Sequence, residues 1–266
     1  LDALAAPRDA AFRKPFLGLH FFNPPNVIVG TELVAGRDTD PDVVDFVEAF
    51  SRACLGREIV RTHDTPAFAG NRVGFKVLNE CAQLAEKHGP HYVDTVVGPY
   101  TGRALTPLAT VDLVGWDIHK AIVDNVHAHC DDEARATNAI PAYMDALIAK
   151  GVLGDKTKGG FFKRDGKVRL ALDPASGDYT PVSEIALPDL GYIRDVSNLH
   201  RQGRYAEAMQ VFAAADGPHA ARARKVIAGD VASAFHRVGE GADWIDASER
   251  STAAVRESAQ PRLTGA

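Results

Sequence analysis

The chain has 266 residues, of which 45% are hydrophobic and 24% charged, and a formal net charge of −5. That balance is ordinary for a globular protein with a sizeable core and gives no reason to expect nucleic acid or an anionic membrane as partner. No apolar run approaches the roughly 20 residues of a membrane-spanning helix, and the opening Leu1-Asp2-Ala3-Leu4-Ala5-Ala6-Pro7-Arg8 lacks the basic-then-apolar layout of a signal peptide.

Taken in order, residues 1–6 read as the end of a helix, 16–22 as a strand, 31–35 as a second strand and 58–62 as a third. Between the last two, Asp40 is a good N-cap and Pro41 suits a first helical turn. Val43, Phe46, Val47 and Phe50 then recur on one face, and Gly56 can close the helix in a left-handed conformation. Strand, helix, strand alternation belongs to an α/β layer. The first strand ends in His20-Phe21-Phe22-Asn23-Pro24-Pro25, whose prolines forbid simple continuation. Its histidine has a carboxylate, Glu32, within folding reach. An imidazole oriented by an anion is the arrangement of a general base, because histidine accepts and returns a proton near neutrality. Taken alone, such a histidine reads first as a core residue capped by a turn.

Residues 65–88 carry a long helical signal: Val73, Val77, Leu78, Cys81, Leu84 and Ala85 form a stripe that Gly89-Pro90 stops. Asn71 falls in or just before the first exposed turn, where an asparagine serves either as a cap or as a functional amide. Residues 91–102 read as a short helix ending in a glycine-bearing turn. Val111-Asp112-Leu113-Val114-Gly115-Trp116-Asp117 leads into an apolar-periodic segment at 118–129, and a further helix covers 140–149. The run Gly154-Asp155-Lys156-Thr157 has the wrong order and glycine spacing for a phosphate loop, which argues against a nucleotide triphosphatase. Asp165-Gly166 suits a type I′ hairpin. Residues 173–200, rich in Pro, Ser, Asp and Gly, read as a linker or extended arm.

Residues 205–212 and 220–238 are helical. The second meets Gly239-Glu240-Gly241-Ala242-Asp243-Trp244-Ile245-Asp246, which echoes Lys87-His88-Gly89-Pro90-His91-Tyr92-Val93-Asp94 as a sign of internal repetition; residues 251–266 form a polar tail. His119, His127, His129 and Cys130 supply metal-donor types, but His127 and His129 point to different sides of a helix and no paired C-x-x-C spacing exists. Cys54, Cys81 and Cys130 read as buried or free thiols in a reducing compartment.

Four ordered stretches resemble the 3-hydroxyacyl-CoA dehydrogenase family. They are Gly18-Leu19-His20-Phe21-Phe22-Asn23-Pro24 with Glu32, Asp64-Thr65-Pro66-Ala67-Phe68-Ala69-Gly70-Asn71-Arg72, Gly98-Pro99-Tyr100-Thr101-Gly102-Arg103, and Gly154-Asp155-Lys156-Thr157-Lys158-Gly159-Gly160-Phe161-Phe162. The last two fit its larger bacterial members. The match runs from the first residue to about Lys163 and continues more weakly to the end.

The resemblance implies an α/β remnant of a Rossmann domain (1–63), then a mainly helical substrate and dimerisation domain like that of 6-phosphogluconate dehydrogenase (64–172). The linker or arm (173–200) and a partial second helical copy with a tail (201–266) follow. It also implies NAD-dependent oxidation of L-3-hydroxyacyl-CoA to 3-ketoacyl-CoA in fatty-acid β-oxidation, in a cytoplasmic homodimer that takes an acyl-CoA thioester. The site it implies has His20 as base, Glu32 as its orienting anion, Asn71 holding the imidazole or the substrate carbonyl, and Asn23 shaping the pocket; no metal is implied. Lys156 and Lys158 read as a solvated loop or as contacts to coenzyme A phosphates. The fingerprint Gly-x-Gly-x-x-Gly, which the family carries upstream of the histidine, is absent from the chain. The expectation is therefore an N-terminally truncated chain, inactive by itself. The alternative is a non-catalytic acyl-CoA-binding and dimerisation fragment of a multifunctional fatty-acid oxidation protein.

Overall fold

The computed structural model describes residues 1–98, 100, 105–131 and 135–236. They divide into two compact units, residues 1–72 with 234–236, and residues 73–233. Parts of two sequence features, the Gly98–Arg103 stretch and the echo at 239–246, fall outside the described residues, as does the tail. Among the described residues no helix is long and apolar enough to cross a membrane.

The first unit opens with two single-turn helices, α1 (Asp2–Ala5) and α2 (Ala10–Arg13), and then forms a three-stranded sheet. Strand β1 (Leu17–Phe21) pairs antiparallel with β2 (Gly30–Ala35), and β2 pairs parallel with β3 (Glu58–His63). Helix α3 (Pro41–Leu55) makes the crossover between β2 and β3. Asp40 accepts from the Asp42 N–H at its start, and Gly56 ends it at φ +61°. Strand β2 is central and buried from Thr31 to Val34, so Glu32 is carried into the interior by its neighbours Leu33 and Val34. Leu33, Val44 and Ile59 form the core of the unit, each contributing about 1.5–3 kcal/mol by burial.

One sequence expectation is corrected here. The face of α3 that turns inward carries Val44, Val47 and Ser51, whereas Phe46 and Phe50 are 68% and 44% exposed and stack on each other at 6.3 Å. Apolar residues occupy two adjacent stripes of this helix, and periodicity alone does not say which of them meets the sheet.

The second unit holds most of α4 (Gly70–His88), then α5 (Pro90–Val96), α6 (Pro107–Val114), α7 (Trp116–His129) and α8 (Ala142–Ala149). An antiparallel sheet β4-β5-β6 (Phe162–Asp165, Val168–Leu172, Tyr179–Pro181) follows, then α9 (Gly191–Arg201), α10 (Tyr205–Ala214) and α11 (Pro218–His236). One apolar core runs through all of it, from Val77 and Cys81 on α4 to Phe212 on α10 and Val226 on α11. Helices α10 and α11 thus share a core with α4 to α8.

Three local readings change. Helix α4 starts at Gly70 rather than near Thr65, because Ala67 and Phe68 adopt left-handed angles of +62° and +55°. The hairpin loop is Gly166-Lys167, one residue later than expected, with Asp165 paired to Val168. Of the two loop residues only Gly166 has positive φ, the type II′ pattern rather than I′. The stretch read as a linker or arm contains β6, bonded to β5, and α9, whose Val196 is buried.

Two buried carboxylates bind this unit's main chain. Asp94 accepts from Thr106 Oγ1 and from the N–H groups of Leu108 and Ala109, which open α6. Asp112 accepts from Trp116 Nε1 at 2.7 Å and from the N–H groups of Phe161 and Phe162 at 2.8 and 2.9 Å. A Cβ on Gly154 or Gly160 would collide with Asp112, so the glycines of the 154–162 stretch serve close packing. Burial pushes the carboxyl groups up, Asp94 to about 6 and Asp112 to about 7, against the pull of their donors.

His119 is fully buried, and its Nε2 donates to Asn79 Oδ1 at 3.1 Å while Asn79 Nδ2 donates to the carbonyls of Thr137 and Ala139. Burial lowers its pKa to about 3. A histidine held neutral adds stability above its unfolded pKa near 6.5, and that stability is lost as pH falls toward 3. Asp94 and Asp112 act oppositely: their contribution is complete below the unfolded carboxyl value and is lost as pH rises through about 6 and 7. Comparing wild type with His119→Gln cancels the carboxylates. Thermal unfolding followed by circular dichroism should show wild type losing up to about 3 kcal/mol relative to the variant between about pH 7 and pH 4.5; parallel pH profiles would refute a neutral buried His119.

Candidate active site

His20 and Glu32 are directly opposed residues of the β1–β2 ladder, so their side chains rise from the same face of the sheet. His20 Nδ1 lies 2.6 Å from Glu32 Oε2. A carboxylate only accepts, so Nδ1 carries the proton, and in the neutral ring Nε2 keeps its lone pair. Nε2 has no protein partner among the described residues, and 27% of the imidazole side chain is open to solvent against 4% of Glu32. The rings of Phe22 and Phe68 lie 5.0 and 5.8 Å from the imidazole, both tilted against it.

The other carboxylate oxygen is held by main chain. Glu32 Oε1 accepts from the N–H of Ala69 at 3.0 Å and of Gly70 at 2.8 Å. These donors sit where α4 begins, the end of a helix that favours negative charge. They point at Glu32 because the chain turns through left-handed Ala67 and Phe68, with the Phe68 N–H donating to the Thr65 carbonyl. Two left-handed residues without glycine's freedom cost about 1–2 kcal/mol each. Two hydrogen bonds to a charged acceptor contribute about 1.5–3 kcal/mol each. The terms are of similar size, so the two hydrogen bonds can offset the cost of the turn. A Cβ on Gly70 would lie 2.5 Å from Phe22 Cζ and 3.3 Å from Glu32 Oε2, so a larger residue there would have to displace the Phe22 ring. The loop after β1 is pinned by Arg57, whose Nη1 donates to the carbonyls of Pro25 and Ile28 at 2.5 and 3.0 Å.

Of the four residues singled out in the sequence, His20 and Glu32 meet directly. Asn71 is the second residue of α4, half-buried, next to the Gly70 donor, and makes no hydrogen bond to either of them. Asn23 is exposed in the loop beyond β1. The donors Ala69 and Gly70 went unrecognised because main-chain groups carry no residue signature; the glycine beside Asn71 was their one trace. Chemically, an oriented imidazole with a free Nε2 can take a proton from a hydroxyl and give it back.

Comparison with known proteins follows the same division. Residues 3–65 match the family model for the NAD-binding domain of 3-hydroxyacyl-CoA dehydrogenases, and residues 68–164 match the model for their C-terminal domain. A probable 3-hydroxyacyl-CoA dehydrogenase of Bacillus subtilis is 34% identical over 193 residues, covering 71% of this chain and 24% of the relative. The human mitochondrial hydroxyacyl-coenzyme A dehydrogenase is 34% identical over 150 residues, covering 56% and 47%. The crystal structure of (S)-3-hydroxybutyryl-CoA dehydrogenase from Ralstonia eutropha matches at 31% identity with a TM-score of 0.52, over 59% of this chain and 54% of that one. The architecture is that of a Rossmann-like domain followed by a helical domain. The chain spans between about a quarter and a half of the curated relatives' length.

The dyad makes a prediction that needs no substrate. In Glu32→Gln the amide oxygen keeps the Ala69 and Gly70 donors, so the amide NH₂ faces His20 Nδ1 and forces the proton to Nε2. Nitrogen-15 NMR should report the Nδ1–H tautomer in wild type and the Nε2–H tautomer in the variant. The same tautomer in both would contradict the assignment of Glu32 as the orienting anion.

Proposed function

The chain belongs to the 3-hydroxyacyl-CoA dehydrogenase family, and from that premise we propose that His20 is the general base of an NAD-dependent oxidation of L-3-hydroxyacyl-CoA thioesters to 3-ketoacyl-CoA. The observation that carries this reading is the 2.6 Å contact between His20 Nδ1 and a Glu32 carboxylate whose other oxygen is fixed by two N–H groups. Oxidation at C3 removes a hydride from carbon and a proton from the hydroxyl. NAD, the cofactor of the matched N-terminal domain, supplies the hydride acceptor.

His20 supplies the proton half. Nε2 takes the hydroxyl proton, the imidazolium is held beside the Glu32 carboxylate, and the proton returns by the same path when a ketone is reduced. Burial of Glu32 keeps water from competing for the Nδ1–H. Asn71, one residue past the Gly70 donor, is assigned to the substrate carbonyl, and Asn23 to the wall of the acyl pocket. A homodimer and a role in β-oxidation belong to the same proposal.

The described residues that follow parallel strand β2 do not build a cradle for the cofactor's diphosphate. The helix that follows parallel strand β2 is α3, whose first turn is filled by the Asp40 carboxylate and Pro41, a combination that disfavours a phosphate. No hydride step is therefore assigned to residues of this chain. The same observation favours a second reading of the 266 residues taken alone, as an acyl-CoA-binding and dimerisation module without redox turnover.

In a 3-hydroxyacyl-CoA dehydrogenase that contains this sequence, reduction of acetoacetyl-CoA followed by NADH absorbance should fall about 10²- to 10⁴-fold in His20→Asn and by at least about 10²-fold in Glu32→Gln, with the melting temperature little changed. Near-normal turnover in either variant removes that residue from the mechanism. Fluorescence titration of NADH against the purified 266-residue chain should show no saturation at micromolar concentration; saturable binding would contradict the absence of a cofactor cradle.

A further inference from the structure

The second unit carries a groove of about 460 Å³ whose walls include Lys158, Lys163, Arg164 and Arg169. Some exposed cations elsewhere among the described residues are paired, such as Arg61 with Asp45 and Glu48, Lys120 with Asp124 and Asp145, Lys156 with Asp117, and Arg204 with Glu207, while others, such as Lys14, Lys150 and Lys167, form no ion pair. Among the described residues none of the four groove cations forms an ion pair.

Two of them are also placed against each other. Arg164 and Arg169 are directly opposed across the β4–β5 ladder, where like charges on one face are destabilising. Two of the four are instead set on aromatic rings. The Arg169 guanidinium lies 3.8 Å from the centroid of the buried Phe162 ring, and Lys163 Nζ lies 4.0 Å from that of Tyr179. Such stacking fixes a cation's direction while leaving its N–H groups free for an anion. Lys158 extends from a left-handed backbone position, φ +59°. Of the carboxylates on the walls, Asp112 spends both oxygens on Trp116, Phe161 and Phe162, and Asp155 is the exposed one. Four cations against two carboxylates leave the groove positive.

We propose that this groove binds a phosphorylated small molecule of nucleotide size, with a phosphate dianion held between Arg164 and Arg169 and Lys158 as a third contact. The planar guanidinium fork matches phosphate oxygens two at a time, and the volume is in the range of small-molecule sites. An anion between the two arginines also turns their unfavourable opposition into a bridge. The site lies wholly within the second unit and does not rest on the reading of His20 and Glu32.

Isothermal titration calorimetry on the purified chain tests it, with adenosine 3′,5′-bisphosphate and inorganic phosphate as separate probes at low salt. At least one probe should bind saturably, weakened about tenfold or more by Arg164→Ala and by Arg169→Ala, while Arg169→Lys recovers only part of the loss. Tighter binding of the bisphosphate identifies a nucleotide-type ligand; equal binding identifies free phosphate as sufficient. Thermal melting of Arg164→Ala should be unchanged or raised, because the variant removes a like-charge pair, so lost binding is separable from lost fold. No saturable binding of either probe, or affinities unchanged in both alanine variants, would overturn the proposal.

Discussion

The Glu32 carboxylate is the constraint on which the candidate site depends. One oxygen orients His20 across a strand pair, and the other gathers two N–H groups at the point where an irregular turn becomes helix α4. A buried carboxylate in an apolar strand would be costly without partners, and here each oxygen has them. The β1–β2 ladder, the turn and the helix start therefore meet at one side chain. Gly70 shows how tight the arrangement is, since one added carbon would meet both Phe22 and Glu32.

The same device recurs in the second unit. Asp94 opens α6 by accepting from Leu108 and Ala109, and Asp112 ties Trp116 to the residues that begin β4. In each case a carboxylate replaces the water that a helix or strand start would otherwise need. Their donors hold the charge while burial works against it, which is why their carboxyl groups titrate near neutrality. Glu32 differs because one of its donors is an imidazole whose other nitrogen is free.

What was legible in the sequence divides along physical lines. The strands of the first unit, the Asp40 and Gly56 ends of α3 and the stop at Gly89-Pro90 were legible because they rest on local rules of capping and periodicity. The pairing of His20 with Glu32 was legible as reach and residue type, and the ladder register supplied the contact. Three things were hidden. Periodicity cannot choose between two adjacent apolar stripes, so it groups Phe46 and Phe50 with Val43 and Val47. Ala67 and Phe68 give no composition signal for left-handed angles, so the start of α4 was placed too early. The order within residues 173–200 comes from pairing with β5 and from burial of Val196, both long-range, while the local composition reads as loop.

Whether Glu32 anchors the start of α4 as well as the imidazole is open to direct measurement. Amide hydrogen exchange at Ala69 and Gly70 reads it, because these groups precede or open the helix and have no helical acceptor of their own. In the wild-type chain both amides should exchange slowly, and in Glu32→Ala both should exchange at the rate of an open loop while amides in the middle of α4 keep their protection. Equal exchange at Ala69 and Gly70 in the two proteins would contradict the account, since the turn would then be holding itself without the carboxylate.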